Sequence, residues 1–161
     1  MNILSPGPGV GGHCIAVDPW FIVAGAPEQA RLIRTAREVN DDKPSWVIGQ
    51  VAEAIEAWTS AGHPKPRIAC YGLAFKADID DLRESPAIKI VTELARRGDC
   101  DVWVIEPNIE ALPPSLEGIE LITAESARCN ADIHLLLVDH REFRFQEAPT
   151  GFVIDTRGVW R

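Results

Sequence analysis

The sequence lacks any stretch of about 18 uninterrupted apolar residues, so no membrane-spanning helix is expected. Met1 to Gly12 has neither a basic start nor an apolar run of signal-peptide length, and no secretory leader is expected either. Basic charge is also short: 16 Lys and Arg against 24 Asp and Glu leave a net charge of -8 and a pI near 5.0. Nucleic acid and anionic membrane surfaces are thereby excluded as partners, because both need a contiguous basic face. Cysteines are few and never closely paired. Cys14, Cys70, Cys100 and Cys129 lack the spacing of a zinc site, so no metal is expected, and they read as free thiols of a cytoplasmic protein. Repeats and low-complexity tracts are absent, while a hydrophobic content of 46% suffices for one buried core.

What is present falls into two rhythms. Residues 5 to 19, SPGPGVGGHCIAVDP, carry too much Gly and Pro for a helix or a strand and read as an irregular loop. A helix is predicted from about Glu28 to Asn40, a stop at NDDKP, and a new amphipathic helix from Pro44 that ends before Gly62. The stiff connector GHPKP, residues 62 to 66, marks a boundary between segments 1–62 and 63–161. Beyond it RIACYGLAF, the capped helix SPAIKIVTELARRGD and DVWVIEPN form a strand-helix-strand unit. IELIT, ADIHLLLVDH and GFVIDTRG supply further strands, and AESARCN a helical turn or two. Near-continuous apolar strands alternating with helices predict an α/β fold with a Rossmann-like parallel sheet covered on both faces. Ligands of such sheets sit beyond the carboxyl ends of the strands, which brings forward Lys76, Glu106, Asp139, His140 and Arg157.

The segment GPGVGG, residues 7 to 12, spells a dinucleotide fingerprint but lacks the strand before it and the helix opening inside it. Asp18-Pro19 reads as a break in the chain after the cysteine, so the glycines, Gly11 among them, instead let the backbone approach something closely while presenting His13 and Cys14. A thiol on such a loop with a carboxylate at Asp18 is where a nucleophile is placed, although a small buried hydrophobe is the plainer reading of one cysteine. Cys70, Cys100 and Cys129 take that plainer reading. Asp18 alone reads equally well as a cap before Pro19.

GPGVGGHCIAVDPWFIV resembles the active-site cysteine segment of the UDP-glucose/GDP-mannose dehydrogenase family, and HCIAVDP is nearest its branch acting on UDP-N-acetylmannosamine. GLAFKADIDDLRESPAIKI, residues 72 to 90, resembles the same family's UDP-binding domain, and both segments stand in the family's order. The resemblance implies oxidation of a nucleotide-sugar C6 hydroxyl to a carboxylate by two hydride transfers to NAD. By the same resemblance Cys14 matches the nucleophile that captures the aldehyde, and Asp18 the carboxylate that positions water. Lys76, Arg157 and the Gly11 backbone match substrate contacts, and Arg83 an arginine that reaches NAD, while Asp80, Asp81 and Glu84 offer Arg83 ordinary ion pairs. His13 either tunes the thiol or fills the loop. The helix carrying Trp46 and Trp58 matches one that joins two subunits, so a homodimer is expected; the alternative is that this stripe packs on the chain's own C-terminal part.

Val17 stands where glucose-type members carry a lysine, which points toward an N-acetylated sugar. No counterpart of the family's NAD-binding domain precedes Cys14, so a fragment without turnover of its own is expected. The rivals are a non-catalytic UDP-sugar-binding and dimerisation module, a UDP-glucose 6-dehydrogenase, and a stand-alone doubly wound domain with an unrelated ligand.

Overall fold

The apolar runs after Pro66 form five strands: β1 (Arg67–Tyr71), β2 (Asp101–Ile105), β3 (Glu120–Leu121), β4 (Ile133–Leu136) and β5 (Phe152–Asp155). They come from a computed structural model that describes residues 5–144 and 147–160. All pair in parallel in the order β3-β2-β1-β4-β5, so strand order reverses between β1 and β4. The connecting helices are α1 (Asp18–Gly25), α2 (Arg31–Ser60), α3 (Pro86–Arg97), α4 (Ala124–Asn130) and α5 (Arg141–Arg144).

Period-two alternation sends the strand side chains to two cores. Ile68, Cys70, Ile133, Leu135 and Val104 pack under α2 and α3, where Val47, Val51, Ile90, Val91 and Leu94 meet them. Ala69, Tyr71, Ile105 and Leu136 face the other way, onto Ala127, Phe143 and Trp160. Local signals of α3 agree with its place in this layer. Ser85 caps it by accepting from the Ala87 N–H, Pro86 opens it, and Gly98 closes it at φ 70° with Arg96 and Arg97 in the last turn.

Three local expectations are corrected. No break occurs at NDDKP, because α2 runs 30 residues straight through Pro44. An internal proline costs about 3 kcal/mol. Val47, Val51, Ala54 and Ile55 are buried beyond it. At about 1.5 to 3 kcal/mol for each large side chain, that burial outweighs the lost bond. Asp18-Pro19 opens a helix instead of breaking the chain, since Pro is well placed in a first turn and an acidic residue favours the N-terminus. Trp58, read as part of a stripe facing a second subunit, packs within its own chain: its indole N–H donates to the Pro64 carbonyl at 2.8 Å and its ring stacks on His63 at 4.1 Å. Among the described residues no helix is long and apolar enough to cross a membrane.

At the end of β1 the chain turns at Gly72, whose φ is +91° and whose missing Cβ would collide with Val138; Gly62, with φ +86°, has open space around it. Gly62→Ala is therefore expected to cost about 1 kcal/mol, from backbone strain alone. Gly72→Ala adds overpacking of about 2 kcal/mol more. Urea unfolding of the two variants measures the difference, and equal losses would contradict the contact with Val138.

Candidate active site at the glycine loop

The run Gly7 to Gly12 has no regular structure and lies against the carboxyl edge of the sheet. Each of its glycines removes a collision. A Cβ on Gly7 would strike the Arg157 guanidinium, and one on Gly9 would sit 3.0 Å from the Pro86 ring. On Gly11 it would run into the Glu84 carbonyl, with Pro86 Cδ 2.9 Å and Phe75 Cβ 3.0 Å away; on Gly12 it would touch the Phe75 ring at 3.0 Å. The Gly12 N–H donates to the Arg83 carbonyl at 3.3 Å, which ties the loop to the turn before α3. Gly11 and Gly12 are buried, whereas His13 and Cys14 emerge into solvent. Cys14 starts the next turn, its carbonyl accepting from the Val17 and Asp18 N–H groups at 3.1 and 2.8 Å.

Pro8 and Gly9 close one side of the switch-point crevice, and Lys76, Pro86, Val138 and Arg157 wall the rest of a cavity of about 30 Å³. Lys76 is exposed and makes no ion pair among the described residues. Arg157 donates to Asp139 at 2.8 Å, and Arg144 holds the other Asp139 oxygen at 2.5 Å. Arg83 is exposed and chelates Asp81, drawing that carboxyl down to about 2 through its hydrogen bonds. Asp81 in turn raises the Arg83 pKa, with a smaller contribution from Cys14. Asp18 does not cap: it is the first residue of α1, with Val17 in the cap position and no side-chain cap bond.

The sheet order, the glycine loop and the exposed thiol of this chain can be set against known proteins. Residues 69–161 match the UDP binding domain of the UDP-glucose/GDP-mannose dehydrogenase family, and residues 1–42 match that family's central domain. This chain belongs to that family. The NDP-N-acetyl-D-galactosaminuronic acid dehydrogenase of Ralstonia solanacearum is 58% identical over 99% of this chain and 37% of its own length. The UDP-N-acetyl-D-mannosamine dehydrogenase of Salmonella typhi is 54% identical over 100% of this chain and 40% of its own. A solved UDP-N-acetyl-mannosamine dehydrogenase of S. aureus superposes with a TM-score of 0.78 at 35% identity, covering 100% of this chain and 37% of that one. The chain therefore spans about two fifths of the length of the curated relatives it matches.

Within this family member, Gly11, Cys14, Arg83, Lys76 and Arg157 are all gathered at or beside one edge of the sheet, while Asp18 begins the helix after the thiol. Three residues brought forward by strand position alone do not face the crevice as free ligands. Asp139 is neutralised by the two arginines. Glu106 and His140 are buried and bond each other, His140 Nε2 donating to Glu106 Oε2 at 3.0 Å. The tautomer is set by the other ring nitrogen, since Nδ1 accepts from the Asp78 N–H at 2.9 Å and the Asn108 amide at 3.0 Å. Asp78, His140 and Glu142 bring possible ligand atoms within 4.8 Å of one another, yet both His140 nitrogens already have hydrogen-bond partners. Glu106 also accepts from the Leu73 and Ala74 N–H groups at 2.7 and 3.1 Å. Asn108, Asp78 and Asn40 carry no motif in one sequence, and only their three-dimensional neighbours reveal them.

All four thiols are free: Cys70 and Cys100 are buried, while Cys129, read as a buried hydrophobe, is exposed. Burial raises the Cys100 thiol to about 12.

NAD does not fit the residues present as a complete site. No helix opens within Gly7–Gly12, and Glu106, at the strand end where a dinucleotide fold meets the ribose, is consumed by the Leu73 turn.

Burial would raise the Glu106 carboxyl, but hydrogen bonds from His140 and the Leu73 amide outweigh it and hold the group below the usual carboxylate range. Its contribution to stability is therefore complete above the ordinary carboxyl range and is lost as pH falls through the depressed value. Glu106→Gln is expected to cost about 3 kcal/mol at neutral pH, with a smaller loss in acid. Denaturant titrations at both pH values check this, and a pH-independent loss would contradict the charge of Glu106.

Proposed function

We propose that this chain is the UDP-binding and cysteine-bearing part of an NAD-dependent nucleotide-sugar 6-dehydrogenase acting on UDP-N-acetyl-D-mannosamine. Residues 1–62 bring the nucleophile loop and a dimer helix, and residues 63–161 bind the nucleotide. The observation that carries this reading is the glycine loop, which lays its backbone on the crevice of Lys76 and Arg157 and leaves Cys14 exposed two residues beyond Gly12. The crevice of about 30 Å³ holds water and not a nucleotide. Pyrophosphate entry therefore requires Arg157 to exchange part of its Asp139 partnership for phosphate, a trade its planar fork suits.

Once the nucleotide is anchored, the C6 aldehyde lies over the thiol. The Cys14 thiolate adds to the carbonyl carbon, forming a C–S bond, and the resulting alkoxide takes up a proton. Arg83 lies near enough to Cys14 to interact with it electrostatically. Asp18 accepts a proton from water during hydrolysis of the later thioester, releasing carboxylate and restoring the thiol. NAD, when bound, would accept the hydride whose loss, with a proton, turns the thiohemiacetal into the thioester; none of these residues can do so. Val17 and the N-acetylhexosamine relatives support an N-acetylated sugar over UDP-glucose. An N-acetylgalactosamine derivative is the second reading, favoured by the 58% identity to the Ralstonia protein.

Calorimetry on this chain is expected to show binding of UDP and of UDP-N-acetylmannosamine. Lys76→Ala and Arg157→Ala should each weaken UDP about tenfold or more. Cys14→Ser leaves UDP affinity unchanged, and NAD alone does not bind. Absence of UDP binding, or UDP affinity in both cation variants unchanged from the parent, would sink the proposal.

The free thiols fit a reducing compartment such as the cytoplasm. Leu32, Val39 and Trp46, spaced by seven along α2, are 82%, 60% and 54% exposed and form the stripe through which a homodimer assembles. Val39→Asp should convert a dimer into a monomer in sedimentation runs, and a parent that sediments as a monomer removes the dimer.

A further inference from the structure

Cys14 stands on a loop that closes one side of a cavity of about 280 Å³, walled by Val10, Val17, Trp20, Arg37, Asn40 and Lys89. Close packing cannot fix the loop on that side, so discrete hydrogen bonds must. Two come from one amide. Asn40 Oδ1 accepts from the Val10 N–H at 2.8 Å, and Asn40 Nδ2 donates to the Val10 carbonyl at 3.4 Å. A third comes from the preceding turn of the same helix face, where Arg37 Nη1 donates to the Ile15 carbonyl at 3.4 Å. Arg37 is only 8% exposed, and its Nη2 is held by Asp41 at 2.6 Å. Val10 and Ile15 lie on either side of Cys14, so α2 grips the loop before and after the thiol.

Pro44 adds to this arrangement. It has no N–H to offer the Asn40 carbonyl one turn back, and that carbonyl lies 3.6 Å from where a Cβ of Gly9 would be. The helix thus presents three polar atoms of one residue where the loop passes. An asparagine amide offers donor and acceptor together, as a neighbouring strand edge would; a carboxylate offers acceptors only.

We propose that Asn40, supported by Arg37, is the positioning residue that fixes the Cys14 loop for attack on the bound sugar. This rests on the reading of Cys14 as a nucleophile in a UDP-sugar site.

The test uses a Cys129→Ser background, in which Cys14 is the accessible thiol and Cys70 and Cys100 stay buried. Iodoacetamide alkylation of Cys14 is timed with and without UDP-N-acetylmannosamine, UDP affinity is measured by calorimetry, and amide exchange is followed at Val10 and Gly12. In the parent the nucleotide sugar is expected to slow alkylation about tenfold. Asn40→Ala should keep UDP affinity, lose most of that protection and exchange the Val10 amide about tenfold faster. Asn40→Asp, which retains the acceptor for the Val10 N–H, should fall between, and it decides the matter if the alanine variant melts near the assay temperature. Protection and exchange unchanged in both variants overturn the role of Asn40. A parent whose Cys14 gains no protection overturns the functional reading and, with it, the positioning role, even where exchange at Val10 responds.

Discussion

The approach of a bare backbone to the edge of a parallel sheet governs the rest of this molecule. Gly7, Gly9, Gly11 and Gly12 lie where any side chain would meet Arg157, Pro86, Glu84 or Phe75. Because nothing larger fits, the chain after them is delivered in one place, and Cys14 emerges into solvent within electrostatic reach of Arg83. The arginines at this edge of the sheet are already partnered. Arg157 shares Asp139 with Arg144, and Arg83 shares Asp81, so local carboxylates balance charges in a protein that is acidic overall.

Rigidity beneath the site comes from a small polar lock. Glu106 and His140 are buried at the ends of β2 and β4, and between them they take up the Leu73, Ala74 and Asp78 amides. Buried charge is tolerated because each oxygen of Glu106 has donors, and a buried carboxylate without them would be several kcal/mol less stable. The turn that leads from β1 to Lys76 is thereby fixed by the protein itself. A chain with this device has no need of a ligand to shape the floor of its crevice.

Much of this is legible in the residues, where local and global demands coincide. Helix α3 carries its cap, its proline and its closing glycine in sequence, and the strands announce themselves as apolar runs between turns. The cysteine loop can be read from its glycines because steric need leaves a compositional trace. Where tertiary contacts override local chemistry, the residues mislead. Pro44 looks like a start and lies inside a helix held from both sides. Asp18-Pro19 looks like a break and is a first turn. Trp58 looks like an interface residue and is claimed by Pro64 and His63. Glu106 and His140 fall at the right strand ends, yet strand position cannot tell a residue that faces ligand from one that braces the backbone. Asn40 is invisible, since its partner is 30 positions away.

Helix α2 spans roughly 45 Å at 1.5 Å per residue, and its two halves have different surroundings. Val47 and Val51 seat one half in the core, while Asn40, one heptad before Val47, faces the loop from the other. The angular phase between these contacts is set by the helical repeat alone. An uninterrupted rod through Pro44 therefore acts as a gauge: it transfers the rotational setting of the hydrophobic layer to the Cys14 loop more than one helical turn away. Any twist introduced between the two halves would turn the amide aside without disturbing the sheet.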